Sequence, residues 1–322
     1  MYRWFCASVL SLILLAGRAN SQSPGIRGPL GGFVYSPADR TLRPLRGIPG
    51  STYIASPILN EVDSASVSPA GDWALIGKSG RFTFVRGLSG SAPAESSVDG
   101  LIQAVDNVTW NRDGSFALLY SSSGNRLQRV HLSNTDVILD DPLDLSSWGP
   151  ASTFAIDPAG RQIAFGVAGS GVYLFKIGQS PALLYSTGRP GPSAFDDTGL
   201  HLYIVDLDQQ QLVSFNSGSG PVPFASLARD GSALNPVGLA VSNGGRYLSL
   251  ADKTTRAVQV YETTSQNLVN TIPLDFAPSR FEALSNGPSF LLNGDNRQEW
   301  LLVLDATQTP TVYFVPATQE AQ

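Results

Sequence analysis

The chain has 322 residues, of which 42% are hydrophobic and 15% are charged, and its 26 acidic and 21 basic residues give a net charge of −5. The charged fraction is below the usual value of about 25%, which excludes a fold built on long, charged, solvent-facing helices. Acidic balance and the lack of a basic block exclude a nucleic-acid-binding face, which needs Lys and Arg to neutralise phosphates.

The N-terminus has the pattern of a secretory signal. Arg3 precedes the apolar run 9–16, and small residues follow it up to Ser21. We predict a signal peptide over 1–21, followed by a short linker over 22–29. The apolar run is shorter than the ~20 residues that span a bilayer, so no stable membrane span is expected after cleavage. The protein is therefore predicted to be exported to the periplasm, the cell surface or the medium.

Removal of residues 1–21 changes the charge and leaves no thiol. Arg3 and Arg18 are the only charged residues in this segment, so the rest of the chain has a net charge of −7. Cys6 is the only cysteine, which excludes disulfides, thiol catalysis and cysteine-ligated zinc in the mature chain. Such a chain must be held together by packing alone, and we expect it to be a monomer.

From about residue 66 the sequence repeats a unit of two apolar strands joined by a Ser/Asn/Asp-x-x-Gly turn, followed by an alternating third strand. A tight turn needs a residue that accepts a positive φ, and glycine does so without steric cost. The turn glycines stand at 71, 114, 160, 199 and 245, with Pro288 in the sixth unit, so the spacings are 43, 46, 39, 46 and 43 residues.

Further strands follow each turn at a regular offset. Third strands are predicted at 81–85, 127–132, 171–175, 211–215, 257–261 and 300–304, and fourth strands at 182–185 and 268–272. Four strands in roughly 40 to 45 residues are typical of a propeller blade. A sandwich or barrel also has many short strands, but it does not explain the repeated glycine. We predict an all-β fold, a β-propeller of four-stranded antiparallel blades over 30–317, with a C-terminal tail over 318–322.

The number of blades depends on the N-terminal segment. Strands are predicted at 32–35, 41–45 and 52–54, upstream of the six repeats. The C-terminal strand 311–315 would complete a seventh blade with them, which would remove the open sheet edges of a ring. We favour seven blades, and six blades is the alternative.

The repeats resemble the YVTN-type and tryptophan-aspartate-like β-propeller families. The resemblance lies in an apolar-Ser-Pro-x-Gly core that is clearest at 67–71, with a related segment at 238–242. It covers about 65–317 and implies the fold, but not a function, because such families include enzymes, binders and scaffolds.

The central mouth of the propeller is the predicted ligand site. The strand nearest the axis is the first of each unit, so the loop that leads into it opens at the mouth. The residues there are carboxylates, amides and one guanidinium that suit a small polar ligand or a cation: Asp63, Asp106, Asn107, Asn235, Arg280 and Glu282. The alternative is that they are ordinary solvated loop residues.

The sequence contains little else that indicates catalysis or a metal. His131 and His201 are the only histidines, one in a predicted third strand and one beside a turn glycine. Acidic clusters occur at 140–144, 196–197 and 206–208, but none has the spacing of a known calcium loop, so no cofactor is predicted and calcium remains the only one considered. No catalytic residue and no metal ligand is assigned.

Three functions fit these observations. The favoured one is an exported, non-enzymatic binding or scaffold module for a protein or glycan partner. The alternative is a hydrolase with its site in the central mouth, because lactonases occur among the propellers that this chain resembles. The third is a structural role without a small ligand.

Overall fold

A computed structural model describes residues 29–48, 50–90, 92–133, 135–216, 219–227, 233–242, 244–284, 289–293, 301–305 and 310–316, with the backbone alone for 301–305. The predicted signal peptide, residues 22–28 of the linker, the sixth turn at 285–288 and the C-terminal tail lie outside these residues. In the described part of the chain there is no helix that could span a membrane.

The described residues form antiparallel strands. In chain order they are β1 (Leu30–Ser36), β2 (Thr41–Arg46), β3 (Tyr53–Ile54), β4 (Ser64–Val67), β5 (Trp73–Lys78), β6 (Arg81–Arg86), β7 (Ala94–Ser96), β8 (Asn107–Trp110), β9 (Phe116–Ser121), β10 (Arg126–Leu132), β11 (Val137–Leu139), β12 (Leu143–Asp144), β13 (Ala151–Ile156), β14 (Gln162–Val167), β15 (Gly171–Lys176), β16 (Ala182–Tyr185), β17 (Pro190–Phe195), β18 (His201–Asp206), β19 (Gln211–Asn216), β20 (Val222–Ser226), β21 (Pro236–Ser242), β22 (Tyr247–Asp252), β23 (Ala257–Glu262), β24 (Asn267–Pro273), β25 (Glu282–Leu284), β26 (Ser289–Leu291), β27 (Leu301–Asp305) and β28 (Thr311–Val315).

Six four-stranded blades follow one another along the chain, and the predicted propeller fold is confirmed. Blades 1 to 6 are β4–β7, β8–β12, β13–β16, β17–β20, β21–β24 and β25–β28. In blade 2 the outer strand is broken into β11 and β12, which both pair with β10. Each blade is a meander of hairpins, so its pairing is local in sequence.

A separate three-stranded sheet, β1–β3, packs between blade 6 and blade 1. Its inner strand places Phe33 and Tyr35 in a core with blade 1, and Val34 in a core with blade 6. Seven clusters of buried side chains thus fill the successive interfaces around the ring. The ring is closed by side-chain packing on both faces of this sheet.

The prediction that the two termini share one blade was wrong. Strand β28 pairs with β27 through the whole of Thr311–Val315, which makes it the outer strand of blade 6. The predicted N-terminal strands pair only with one another in the described residues. The physical reason is that the β27–β28 hairpin is a short-range pairing, whereas a shared blade would need strands from opposite ends of the chain. Six four-stranded blades, the alternative count, are therefore observed.

The turn glycines serve both the turn and the interface between neighbouring blades. Gly71, Gly114, Gly160 and Gly199 have φ of 72°, 75°, 66° and 70°. A Cβ on Gly160 would lie 2.6 Å from carbons of the Phe116 ring in the preceding blade, and one on Gly114 would lie 2.9 Å from Ser68 Cβ. Glycine is thus required both by the backbone conformation and by the close approach of adjacent blades.

In blades 1 to 4 the first residue of the glycine turn is polar, and its side chain closes the turn. Asn111 Oδ1 accepts a hydrogen bond from the backbone N–H of Phe116 at 2.9 Å, and Asp157 Oδ1 accepts one from Gln162 at 2.8 Å. Ser68 Oγ accepts the equivalent bond from Trp73 at 3.1 Å. These buried side chains satisfy backbone donors where the strand ladder has ended.

Candidate functional site

The inner strands of the six blades surround a central cavity of about 480 Å³. Each inner strand is the terminal strand of its sheet, so one edge of its backbone faces the channel. The loops that lead into the inner strands lie on one face of the ring, here called the top face, and the glycine turns that follow them lie on the other, the bottom face. The cavity wall is therefore built from segments that are distant in sequence.

Three of the predicted site residues line this cavity at its top mouth. Asn107 begins β8, Glu282 begins β25, and Arg280 lies two residues before Glu282. Arg280 Nη1 is 3.7 Å from Glu282 Oε2, and the Glu282 side chain is 60% exposed, so this pair borders the mouth and faces solvent. The mouth thus has one cationic, one anionic and one amide group.

Asp63 and Asp106 do not line the cavity, and their carboxylates bind groups of the protein itself. Asp63 Oδ2 accepts a hydrogen bond from the backbone N–H of Ser79 at 2.7 Å, and Asp63 also pairs with Arg40. Asp106 Oδ2 accepts one from the backbone N–H of Ser122 at 2.6 Å. Each aspartate therefore closes the turn between the second and third strands of its own blade, sixteen residues further along the chain.

Asn235 is also held on the top face outside the cavity wall. Its backbone N–H donates to Asp252 Oδ2 at 2.6 Å, and its carbonyl accepts from the N–H of Lys253 at 3.0 Å. In blades 4 and 5 the turn-closing aspartate stands at the end of the second strand, as Asp206 and Asp252 do. An aspartate thus closes the turn between the second and third strands in blades 1, 2, 4 and 5, but from two different positions in the sequence.

Asp206 is a buried carboxylate that accepts four hydrogen bonds. Tyr185 Oη donates to Oδ2 at 2.7 Å and Thr187 Oγ1 donates to Oδ1 at 2.8 Å, while the backbone N–H groups of Asp208 and Gln209 also donate to Oδ1. Burial raises the pKa of Asp206, but these hydrogen bonds outweigh it and hold the pKa below the usual 3.8. The network accounts for Asp206, one of the acidic residues noted in the sequence, as a structural group.

The bottom mouth carries an ion pair that sequence reasoning did not single out as a site. Arg112, in the glycine turn of blade 2, pairs with Asp197, in the glycine turn of blade 4. Arg112 Nη1 also donates to the backbone carbonyl of Val241 in blade 5 at 3.1 Å. Burial raises the pKa of Asp197, and this effect exceeds the lowering by the Arg112 guanidinium. In the sequence, 196–197 stood out only as an acidic cluster, and nothing there linked it to Arg112.

The cavity wall combines aromatic and small polar groups. Trp110 Nε1 donates to Ser66 Oγ of blade 1 at 2.8 Å, and Phe281 stacks on Phe290 with ring centroids 5.0 Å apart. Within the described ranges no group of three or more His, Cys, Asp or Glu side chains is arranged to hold a metal ion. Chemically, the wall is suited to hold a ligand through apolar contact and hydrogen bonds.

Comparison with known proteins identifies the fold only. No family model and no curated protein sequence matches the chain. A functionally unknown protein from Desulfotomaculum acetoxidans superimposes with a TM-score of 0.62 at 12% identity, over 90% of this chain and all of that one. Chaetomium thermophilum Sqt1, bound to the N-terminus of the ribosomal protein L10, superimposes with a TM-score of 0.55 at 16% identity, over 85% of both chains. The chain shares its propeller architecture with both.

Proposed function

We propose that this chain is an exported binding module that holds a segment of a protein partner in its central cavity, entering from the top face. The observation that carries the proposal is the cavity of about 480 Å³, which lies within the range of about 300–1,000 Å³ typical of ligand sites. Export follows from the predicted signal at 1–21.

The chemistry of the wall favours a peptide over a compact ligand. Six inner strands turn an unpaired backbone edge towards the channel, which supplies donors and acceptors for an extended peptide backbone. Apolar groups such as Trp110 and Phe281 lie beside them and offer contact to side chains. Sqt1, which has the same fold, is bound to the N-terminus of another protein, so the architecture is compatible with this use.

The proposal is tested by selecting peptides from a random-sequence display library and measuring their affinity by fluorescence anisotropy. Ser152 lines the cavity and is exposed, so Ser152→Trp should fill the mouth and abolish binding. Leu183 lies on the outer strand of blade 3 with 53% exposure, so Leu183→Trp is the matched control and should leave the affinity unchanged.

Two results would contradict the proposal. If both tryptophan variants bind the selected peptides as the parent does, the cavity is not the peptide site. If no peptide is enriched while a panel of oligosaccharides raises the melting temperature, the ligand is a glycan, because a ligand that binds only the folded state must stabilise it.

The convergence of Asn107, Arg280 and Glu282 at the top mouth also favours a second candidate, a hydrolase with its site there. An ester and lactone substrate panel separates the two candidates. Turnover that is lost in Glu282→Gln, with the melting temperature unchanged, would support the hydrolase and count against a binding module.

A further inference from the structure

The two mouths of the central cavity differ in how they are bordered. At the top, Asn107, Ser152 and Glu282 line the cavity and are exposed. At the bottom, Asp196 and Val241 line it and are buried, while the side chains of Asp197 and Arg112 retain 26% and 38% exposure. The bottom mouth is therefore bordered by buried groups and by one partly exposed ion pair.

The Arg112 side chain borders the bottom mouth and connects its own blade 2 to blades that are not adjacent to it. Its partner Asp197 belongs to blade 4, and the carbonyl that it also binds belongs to Val241 of blade 5. Blade 3 lies between blades 2 and 4 around the ring, so a side chain that connects blades 2, 4 and 5 must run across the opening and not along its rim.

Asp196, beside Asp197, is not available to replace it. Its Oδ1 accepts from the backbone N–H groups of Leu200 at 3.1 Å and His201 at 3.2 Å, and from Thr198. The carboxylate of Asp196 therefore closes its own turn, while that of Asp197 meets the guanidinium of Arg112. The two adjacent aspartates have different tasks, and only one of them reaches across the mouth.

We propose that Arg112 and Asp197 form a latch that closes the bottom mouth and fixes the length of ligand that the central cavity holds. The limit on ligand length rests on the proposed function, whereas closure of the bottom mouth does not depend on any ligand. With the latch shut, a ligand that enters from the top meets a closed end. With the latch open, the cavity becomes a channel through which a longer segment passes.

Closure is tested without any ligand, by the reactivity of single reporter cysteines. Cys6 is the only native cysteine and lies in the predicted signal peptide, so Cys6→Ser gives a thiol-free chain whether or not residues 1–21 are removed. Val67 is the last residue of β4, next to the bottom turn, and lines the cavity, so Val67→Cys reports on the bottom mouth. Ser152→Cys reports on the top mouth as the matched control. The probe is a neutral maleimide.

Opening the latch should accelerate labelling only at the bottom. Arg112→Ala, or the isosteric Asp197→Asn, should raise the labelling rate at position 67 about fivefold. A partly exposed ion pair contributes about 1 kcal/mol, and its loss raises the open fraction by about that factor. The rate at position 152 should not change. Exchange of the two charges, Arg112→Asp with Asp197→Arg, should restore slow labelling at position 67. High salt should accelerate labelling of the parent but not of Arg112→Ala, because salt screens exposed ion pairs.

The proposal fails if labelling at position 67 is unchanged in both latch variants, or if labelling rises equally at positions 67 and 152. Either result is independent of whether a peptide binds. If the latch opens as expected, peptides that are extended at one of their two ends should gain affinity in Asp197→Asn relative to the parent. Equal affinity for short and extended peptides in both proteins would overturn the role in ligand length while leaving the binding function intact.

Discussion

Replacement of Gly160 by alanine tests the explanation of the repeat. The backbone there has a φ of 66°, which costs an L-residue about 1–2 kcal/mol. The added Cβ would also lie 2.6 Å from ring carbons of Phe116. That ring stacks on His131 at 4.6 Å, and Arg129 lies over it at 5.3 Å, so it has little room to move. Overpacking of this kind costs about 1–3 kcal/mol.

The expected loss of unfolding free energy for Gly160→Ala is therefore about 2–5 kcal/mol. Gly178→Ala is the matched control, because Gly178 has a φ of 84° but a Cβ there would meet nothing within 4 Å. The control should lose only the backbone contribution, about 1–2 kcal/mol. Urea unfolding followed by tryptophan fluorescence measures both. Equal losses in the two variants would refute the idea that the turn glycine is also required for packing between blades.

Three further predictions concern the core, the buried carboxylate and calcium. Val315→Ala should lower the free energy of unfolding by about 2 kcal/mol, because Val315 is 1% exposed in the interface that closes the ring. Val269 is 51% exposed, so the control Val269→Ala should change the free energy of unfolding little. Burial raises the pKa of Asp206, but hydrogen bonds to the carboxylate lower it below 3.8. The ionised carboxylate therefore stabilises the fold above pH 3.8, and this stabilisation is lost as the pH falls through the folded-state pKa. In urea unfolding, Asp206→Asn should lose more unfolding free energy at about pH 7 than at about pH 3. Calcium should leave the melting temperature as it is with a chelator, because the carboxylates of Asp63 and Asp106 already accept backbone hydrogen bonds. A higher melting temperature with calcium that is lost in Glu282→Ala would contradict this prediction and place a cation at the top mouth.

The fold could be predicted because its determinants are local. A positive φ at Gly71 or Gly160 and a polar side chain at Ser68 or Asp157 are demands of a single turn, and both features recur in the first four repeats. Hairpins follow from such turns, so strands such as β16 were predicted with their observed bounds. Ring closure depends instead on packing between sheets that are distant in sequence, which is why the assignment of 311–315 failed.

The candidate site was harder to predict for the same reason. Counting back from the turn glycine identified Asp63 and Asp106 as loop residues, but it did not reveal that their carboxylates accept hydrogen bonds from the N–H groups of Ser79 and Ser122. The contact between Arg112 and a blade 4 aspartate spans 85 residues and exists only once the ring has closed. No local pattern in the sequence encodes it.

Photo-crosslinking shows whether a bound peptide lies in the central cavity. A selected peptide carrying a photoreactive group is bound, irradiated and digested, and the crosslinked residues are identified by mass spectrometry. We expect crosslinks to cavity-lining residues such as Ser152, Trp110 and Phe281. Crosslinks confined to the outer strands, for example around Leu183 or Val222, would contradict this expectation.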